Sequence, residues 1–89
     1  MYRKAKRDKN EKEIVEALRN IGATVSYIDG KGVPDLLVGY YGDNLLFEVK
    51  SEKGQLTYSQ IEWHENWHGE AHVVHSVEEV LDILTVRRK

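Results

Sequence analysis

The run Leu45-Leu46-Phe47-Glu48-Val49-Lys50 constrains this chain more than any other stretch. Side chains on a strand point alternately to the two faces of a sheet. Leu45, Phe47 and Val49 therefore share one face, which reads as a core face, while Glu48 and Lys50 share the other. Leu36-Leu37-Val38 reads as a preceding strand, joined to this one through Gly42-Asp43-Asn44 as a hairpin. Asp35 opens that earlier strand directly after Pro34, and proline suits a strand's first position. Folding the hairpin back brings residue 35 towards residues 48–50. Two carboxylates and a lysine then converge at one sheet edge.

The rest of the chain supplies cover for such a sheet. Ile14, Ala17, Leu18 and Ile21 recur at helical spacing, and Gly22 is a good stop. Thr24 to Ile28 reads as a strand, followed by the turn residues Asp29-Gly30-Lys31-Gly32. Thr57-Tyr58-Ser59-Gln60 fits a capping box, with Gln60 reaching back to Thr57, and predicts a helix to about His68, ended by Gly69. Ala71 to His75 reads as a short strand. Ser76-Val77-Glu78-Glu79 is a second capping box, opening a helix to about Leu84. The predicted order is helix, three strands, helix, strand, helix: an α/β sandwich around a mixed central sheet flanked by helices. Eighty-nine residues predict one domain, spanning 1–89.

The convergent residues have a chemical use. Carboxylates are hard oxygen ligands suited to Mg²⁺ or Mn²⁺. A metal held by them can polarise a phosphoryl oxygen and acidify an attacking water. A lysine beside it can orient that water and balance charge on the phosphate. Glu-x-Lys alone is common on protein surfaces. Pro34-Asp35, then twelve residues, then Glu48-Val49-Lys50 on an apolar strand is far more specific.

At this point the chain resembles a known family. Gly32 to Val38, Leu46 to Ser51, Gly54-Gln55-Leu56-Thr57 and Gln60-Ile61-Glu62-Trp63 are similar to the virus-type replication–repair nuclease (VRR-NUC) domain, within the PD-(D/E)xK nuclease superfamily. The Pro-Asp and Glu-x-Lys elements belong to the whole superfamily, and the G-x-L-x-x-x-Q-x-x-W pattern narrows the choice. The basic start and the first helix also resemble Holliday junction resolvases. The resemblance implies a restriction-endonuclease-like αβββαβ core. It implies Asp35, Glu48 and the main-chain carbonyl of Val49 as metal ligands, Lys50 as the catalytic lysine, and Gln60 as its support. Glu11 best matches the family's first-helix glutamate and is implied as a further metal ligand; spacing favours it independently, because Glu11 continues the inward stripe by one turn. The implied activity is Mg²⁺- or Mn²⁺-dependent hydrolysis of DNA phosphodiesters, leaving 5′-phosphate and 3′-hydroxyl ends. The implied substrates are branched DNA such as Holliday junctions or flaps, cut by a homodimer. The alternatives are a catalytically silent nucleic-acid-binding module on the same fold and a restriction-type nuclease; 89 residues leave the latter little room for a base-reading domain.

Charge adds a second line. Residues 1–12 hold six lysines and arginines, and the chain ends Arg87-Arg88-Lys89, whereas the residues between hold thirteen acids against four basic side chains. Basic ends around an acidic middle fit polyanion binding about a cation-binding centre. Residues 1–9 are too polar to pack and are expected to form a mobile arm, with Arg3, Lys4, Lys6 and Arg7 available to DNA phosphates. Lys31 and Lys53 flank the proposed site in loops and have the same potential use. No cysteine is present, so disulfides and cysteine-containing zinc sites are excluded. No secretory signal or membrane-length apolar run is visible, so an intracellular, cytoplasmic setting in a bacterial or phage-infected cell is expected, with no membrane and no small-molecule cofactor.

One further motif needs weighing. His64-Glu65-Asn66-Trp67-His68 reads as H-E-x-x-H, a zinc-protease pattern. It ends against Gly69, lacks a convincing third ligand, and sits in a domain too small for such a peptidase. It is expected to be the back half of the helix that begins at Thr57. Trp63 and Trp67 should then pack on the sheet, His68 should close the helix, and both histidines should be dispensable for DNA cleavage.

Overall fold

The computed structural model describes residues 9–87. Arg3, Lys4, Lys6 and Arg7, and with them nearly all of the expected arm, lie outside the described residues, as do Arg88 and Lys89. Lys9, assigned to the arm from its polarity, instead opens the first helix, α1 (Lys9–Asn20). Four strands follow in pieces: β1 (Thr24–Tyr27), β2 (Leu36–Tyr40), β3 (Asp43–Val49) and β4 (Ala71–Val74). The helix α2 (Tyr58–Asn66) lies between β3 and β4, and α3 (Val77–Thr85) follows β4. The sheet order is β1-β2-β3-β4, antiparallel except for the parallel pair β3–β4. That pair needs a crossover, which α2 provides. The mixed sheet with flanking helices is the predicted architecture.

Local chemistry sets the boundaries. After α1, Gly22 takes φ 96°, Gly22 N–H donates to Arg19 C=O at 3.1 Å and Ala23 N–H to Leu18 C=O at 3.0 Å. Those two bonds make a Schellman stop, which needs a left-handed residue. The buried stripe of α1 is Glu11, Ile14, Val15 and Leu18. It is rotated slightly from the expected one: Ala17 and Ile21 sit at its margin rather than its centre. The hairpin turn is Tyr41-Gly42, one residue earlier than the Gly42-Asp43-Asn44 expected, because Tyr40 pairs with Asp43 and Gly39 with Asn44. Both turn residues have positive φ, 50° and 84°, as a two-residue hairpin matched to strand twist requires.

One face of the sheet makes the core. Leu36, Val38, Leu45, Phe47 and Val74 are fully buried there, with Ile14 and Leu18 from α1 and Val80 and Leu84 from α3. Among the described residues the opposite face carries α2, which buries none of its own residues. The end of α3 is clasped to the sheet by Arg87, whose guanidinium reaches Asp43 at 3.1 Å and also contacts Glu70, itself 2.7 Å from His72 Nε2. Among the described residues no helix is long and apolar enough to cross a membrane.

Candidate active site

The site is built where β2 stops short of β3. Leu36 pairs with Phe47, so Val49 would face Pro34, beyond the start of β2. Proline carries no N–H, and the strand has not yet begun, so the ladder cannot continue regularly there. Asp35 closes the gap. Its N–H donates to Phe47 C=O at 2.9 Å, and its Oδ2 accepts the Val49 N–H at 2.7 Å. The buried main-chain donor is thereby satisfied by a carboxylate. Asp35 is 8% exposed, and its carboxylate lies against the strand one residue from Glu48.

Glu48 is 1% exposed, although it points away from the apolar core. The cover comes from α2. Gln60 Nε2 donates to Glu48 Oε2 at 3.1 Å, while Gln60 Oε1 accepts the Thr57 N–H at 2.8 Å. The Thr57 hydroxyl in turn accepts the Gln60 N–H. One side chain thus completes the expected capping box and holds a buried carboxylate, where the resemblance implied support of Lys50. The second box is only half formed. Ser76 Oγ accepts the Glu79 N–H, but the Glu79 carboxylate takes the His75 N–H instead of that of Ser76.

His64 stands one helical turn beyond Gln60, with Nε2 3.9 Å from Glu48 Oε1. That is too long for a hydrogen bond. Burial lowers the His64 pKa below its usual value, which favours the neutral ring, so the contact is not an ion pair at neutral pH. His64 Nε2 is buried and has no hydrogen-bond partner among the described residues. The sequence reading set His64 aside with His68, yet it stands against Glu48. Its spacing from Gln60, i to i+4, was the signal that could have found it.

Lys50 follows β3, with its N–H donating to Val74 C=O at 2.9 Å. Its main chain is held from a second direction. Asn10 Nδ2 donates to both Lys50 C=O and His75 C=O, each at 2.9 Å. Nothing in the sequence singled out Asn10. It pins the first turn of α1 to the ends of β3 and β4, and Glu11, the next residue, is 3% exposed. Among the described residues no group of three or more His, Asp or Glu side chains stands in ligand geometry. Asp35 and Glu48 therefore offer a pair of carboxylates beside the Val49 main chain, not a closed cage. Magnesium sites are commonly of this kind, with one or two carboxylates and the remaining positions filled by water and substrate oxygens.

The remaining expectations divide. Lys31 lies in the loop before Pro34 and lines a cleft beside α2. Lys53 sits in an exposed turn closed by the Gly54 N–H to Ser51 C=O bond. Trp63 and Trp67 do not join the buried core, where they were expected to pack. They stack on each other, centroids 4.8 Å apart and planes 18° apart, and Trp67 is 45% exposed. The helix ends at Asn66, whose side chain donates to Glu62 C=O at 2.8 Å, and Trp67 is already extended with ψ 125°. A side-chain amide bonding its own helix competes with the backbone and favours termination. His68 consequently lies beyond the helix, exposed, and does not close it. With His64 helical and His68 outside, the two histidines do not form the one-turn pair that a zinc-protease helix needs.

Comparison with known proteins bears on the fold. No family model and no curated protein sequence matches the chain. A solved structure described as a VRR_NUC domain does match, at 26% identity and TM-score 0.73, over 86% of this chain and 91% of that one. The resemblance carried by Pro34-Asp35, Glu48-Val49-Lys50 and Gln60 and the likeness of the whole fold meet on one family, and the fold of this chain is that of a VRR_NUC domain.

Proposed function

We propose that the chain is a metal-dependent, structure-selective DNA endonuclease. The observation that carries this reading is the Asp35–Val49–Glu48–Gln60 array: two buried carboxylates brought to one strand end, one tied to the main chain and the other to a glutamine. Buried carboxylates are costly unless a cation or donors compensate them. Their hard oxygens suit Mg²⁺ or Mn²⁺. Asp35, Glu48, the Val49 carbonyl and the buried Glu11 would hold the ion. Bound there, a divalent cation would polarise a phosphate oxygen and acidify a water.

The chain's own residues do the rest. Lys50, on the Glu48 side of β3, orients the attacking water and balances charge developing on the phosphate. Its main chain is fixed by Val74 and Asn10, so the ammonium swings from a rigid base. Gln60 holds the Glu48 carboxylate in one orientation, and neutral His64 excludes solvent from its other oxygen. Water adds to phosphorus, the bond to O3′ breaks, and the proton ends on the departing 3′-hydroxyl, leaving a 5′-phosphate.

The substrate in this reading is branched DNA, a four-way junction or flap, cut by a homodimer whose twofold axis matches junction symmetry. The edge strand β1, with exposed Tyr27 at its end, offers a pairing edge for a second copy. Arg3, Lys4, Lys6, Arg7 and Lys53 follow the phosphates. The setting is intracellular. The test is cleavage of labelled four-way junction, flap, single-stranded and linear duplex DNA with Mg²⁺, Mn²⁺ or EDTA, with Lys50→Ala alongside. Metal-dependent cutting of branched substrates that the substitution abolishes is expected. No cutting with any metal, or equal cutting by the variant, sinks the assignment.

A further inference from the structure

The stacked tryptophans are the feature that the proposed chemistry does not use. They form part of a cleft of about 480 Å³ lined by Lys31, Ser59, Glu62, Trp63, Asn66 and Trp67. Five of these residues come from α2 and the residue that caps it, and they lie on the flank next to Gln60 and His64. The sixth, Lys31, comes from the loop that leads through Pro34 to Asp35. Gly32 holds that loop against the helix: with φ 79°, an added Cβ would stand 3.0 Å from Ser59 C=O. Gly69 fixes the other end, since a Cβ there would meet Trp67 Nε1 at 2.8 Å. The Trp67 ring is thus seated between Trp63 and a glycine that leaves room for it. Two large aromatic rings are held ready and partly exposed, next to a carboxylate site, with a lysine on the rim.

We propose that this cleft is a stacking platform for one unpaired nucleobase of the DNA strand presented to the Asp35–Glu48 site. The proposal rests on the nuclease reading and narrows its substrate to DNA with an unpaired or extruded nucleotide near the cut. Aromatic faces bind bases of any identity by stacking, but a base inside a duplex has no free face to offer. The cleft has the size of a small-ligand pocket, not of a protein docking surface. Lys31 supplies the charge that a nucleotide's phosphate requires, and Glu62 on the helix rim repels it, so the phosphate belongs on the Lys31 side. That side also carries the chain leading to Asp35. A base on the platform would therefore hold its strand alongside the carboxylates.

The sequence contains two tryptophans, both in the platform, so emission excited selectively in tryptophan, at the red edge where the five tyrosines do not absorb, reads the platform alone. The full chain is titrated in EDTA with a base-bearing single strand, an abasic strand of equal length and a blunt duplex. The base-bearing strand is expected to quench the emission strongly, the other two hardly at all. Trp67→Ala is expected to weaken single-strand binding on the order of ten-fold, with Trp67→Tyr restoring most of it. Because Trp67 is outside the core, melting temperature should stay the same, which separates lost stacking from lost folding. Equal quenching by the abasic strand overturns the platform. A blue shift that grows with protein concentration alone also overturns it, because a second copy then fills the cleft. Quenching by bases without cleavage under any metal leaves the platform standing and removes the nuclease reading. Metal-dependent cleavage with equal abasic quenching does the reverse.

Discussion

The two faces of β3 are built on different principles. Leu45, Phe47 and Val49 face an apolar core closed by α1 and α3. Glu48, on the other face, is just as inaccessible, yet its cover is α2, a helix with no buried residue of its own. The first face is held by apolar area, the second by a few directed bonds from Gln60 and the cap at Thr57. Under the proposed function, stability and chemistry fall on opposite sides of one strand. Changes on the core face should cost folding, and changes on the α2 face should cost function with folding largely spared.

Substitutions can break this division if it is wrong. The largest effect is expected for Phe47→Ala, which should destabilise the domain by about 3–5 kcal/mol. Small domains have total stabilities of about 5–15 kcal/mol, so urea denaturation should show a large loss or an unfolded chain. Lys50→Ala should lower the cleavage rate by about 10²–10⁴-fold, with the denaturation midpoint unchanged. If the midpoint falls as far as it does for Phe47→Ala, the two faces are not separate. Gln60→Ala removes both a carboxylate bond and half of a cap. Losing a hydrogen bond to a charged group costs about 1.5–3 kcal/mol, so turnover should fall between roughly ten- and a hundred-fold. The cap accounts for only about 1 kcal/mol of stability, a smaller shift that the same melt resolves.

The smallest expected effect lies far from both faces, at the Arg87 clasp. Burial pushes the Glu70 carboxyl upward, but hydrogen bonds from His72 and Arg87 and the charge of Arg87 outweigh it and leave the pKa below its usual value. A carboxylate whose pKa is lower folded than unfolded contributes stability that is present above the unfolded value. That contribution disappears as pH falls through the folded value. Glu70→Gln should therefore melt slightly lower than the parent near neutrality, and the gap should close as pH drops below about 4.5. A gap that persists or widens in acid would mean that Glu70 acts through packing instead.

The division was partly legible in the sequence. Alternation in Leu45–Lys50 placed both faces correctly, since the period of a strand leaves no freedom once one face is buried. The Thr57-Gln60 box was readable because capping is local chemistry. Glu11 was found on an inward stripe for the same reason. Trp63 and Trp67 were misplaced because helical spacing says which residues share a face, not what lies opposite. A helix crossing the polar end of a sheet presents its aromatic residues sideways, and only the tertiary arrangement decides that. The hairpin turn was set one residue late because Asp43 and Asn44 have turn chemistry, but Tyr41-Gly42 supplies the left-handed pair and the ladder continues through both. Asn10 was invisible, since its partners are 40 and 65 residues away.

Asn10 also carries a liability. Its amide nitrogen feeds two carbonyls, at the point where β3 and β4 part and beside the lysine. An amide and a carboxylate have the same shape, and one of them has no donor. Replacing Asn10 by aspartate would exchange two attractions for two repulsions at nearly constant volume. The fold would keep its shape while the main chain under Lys50 lost its anchor.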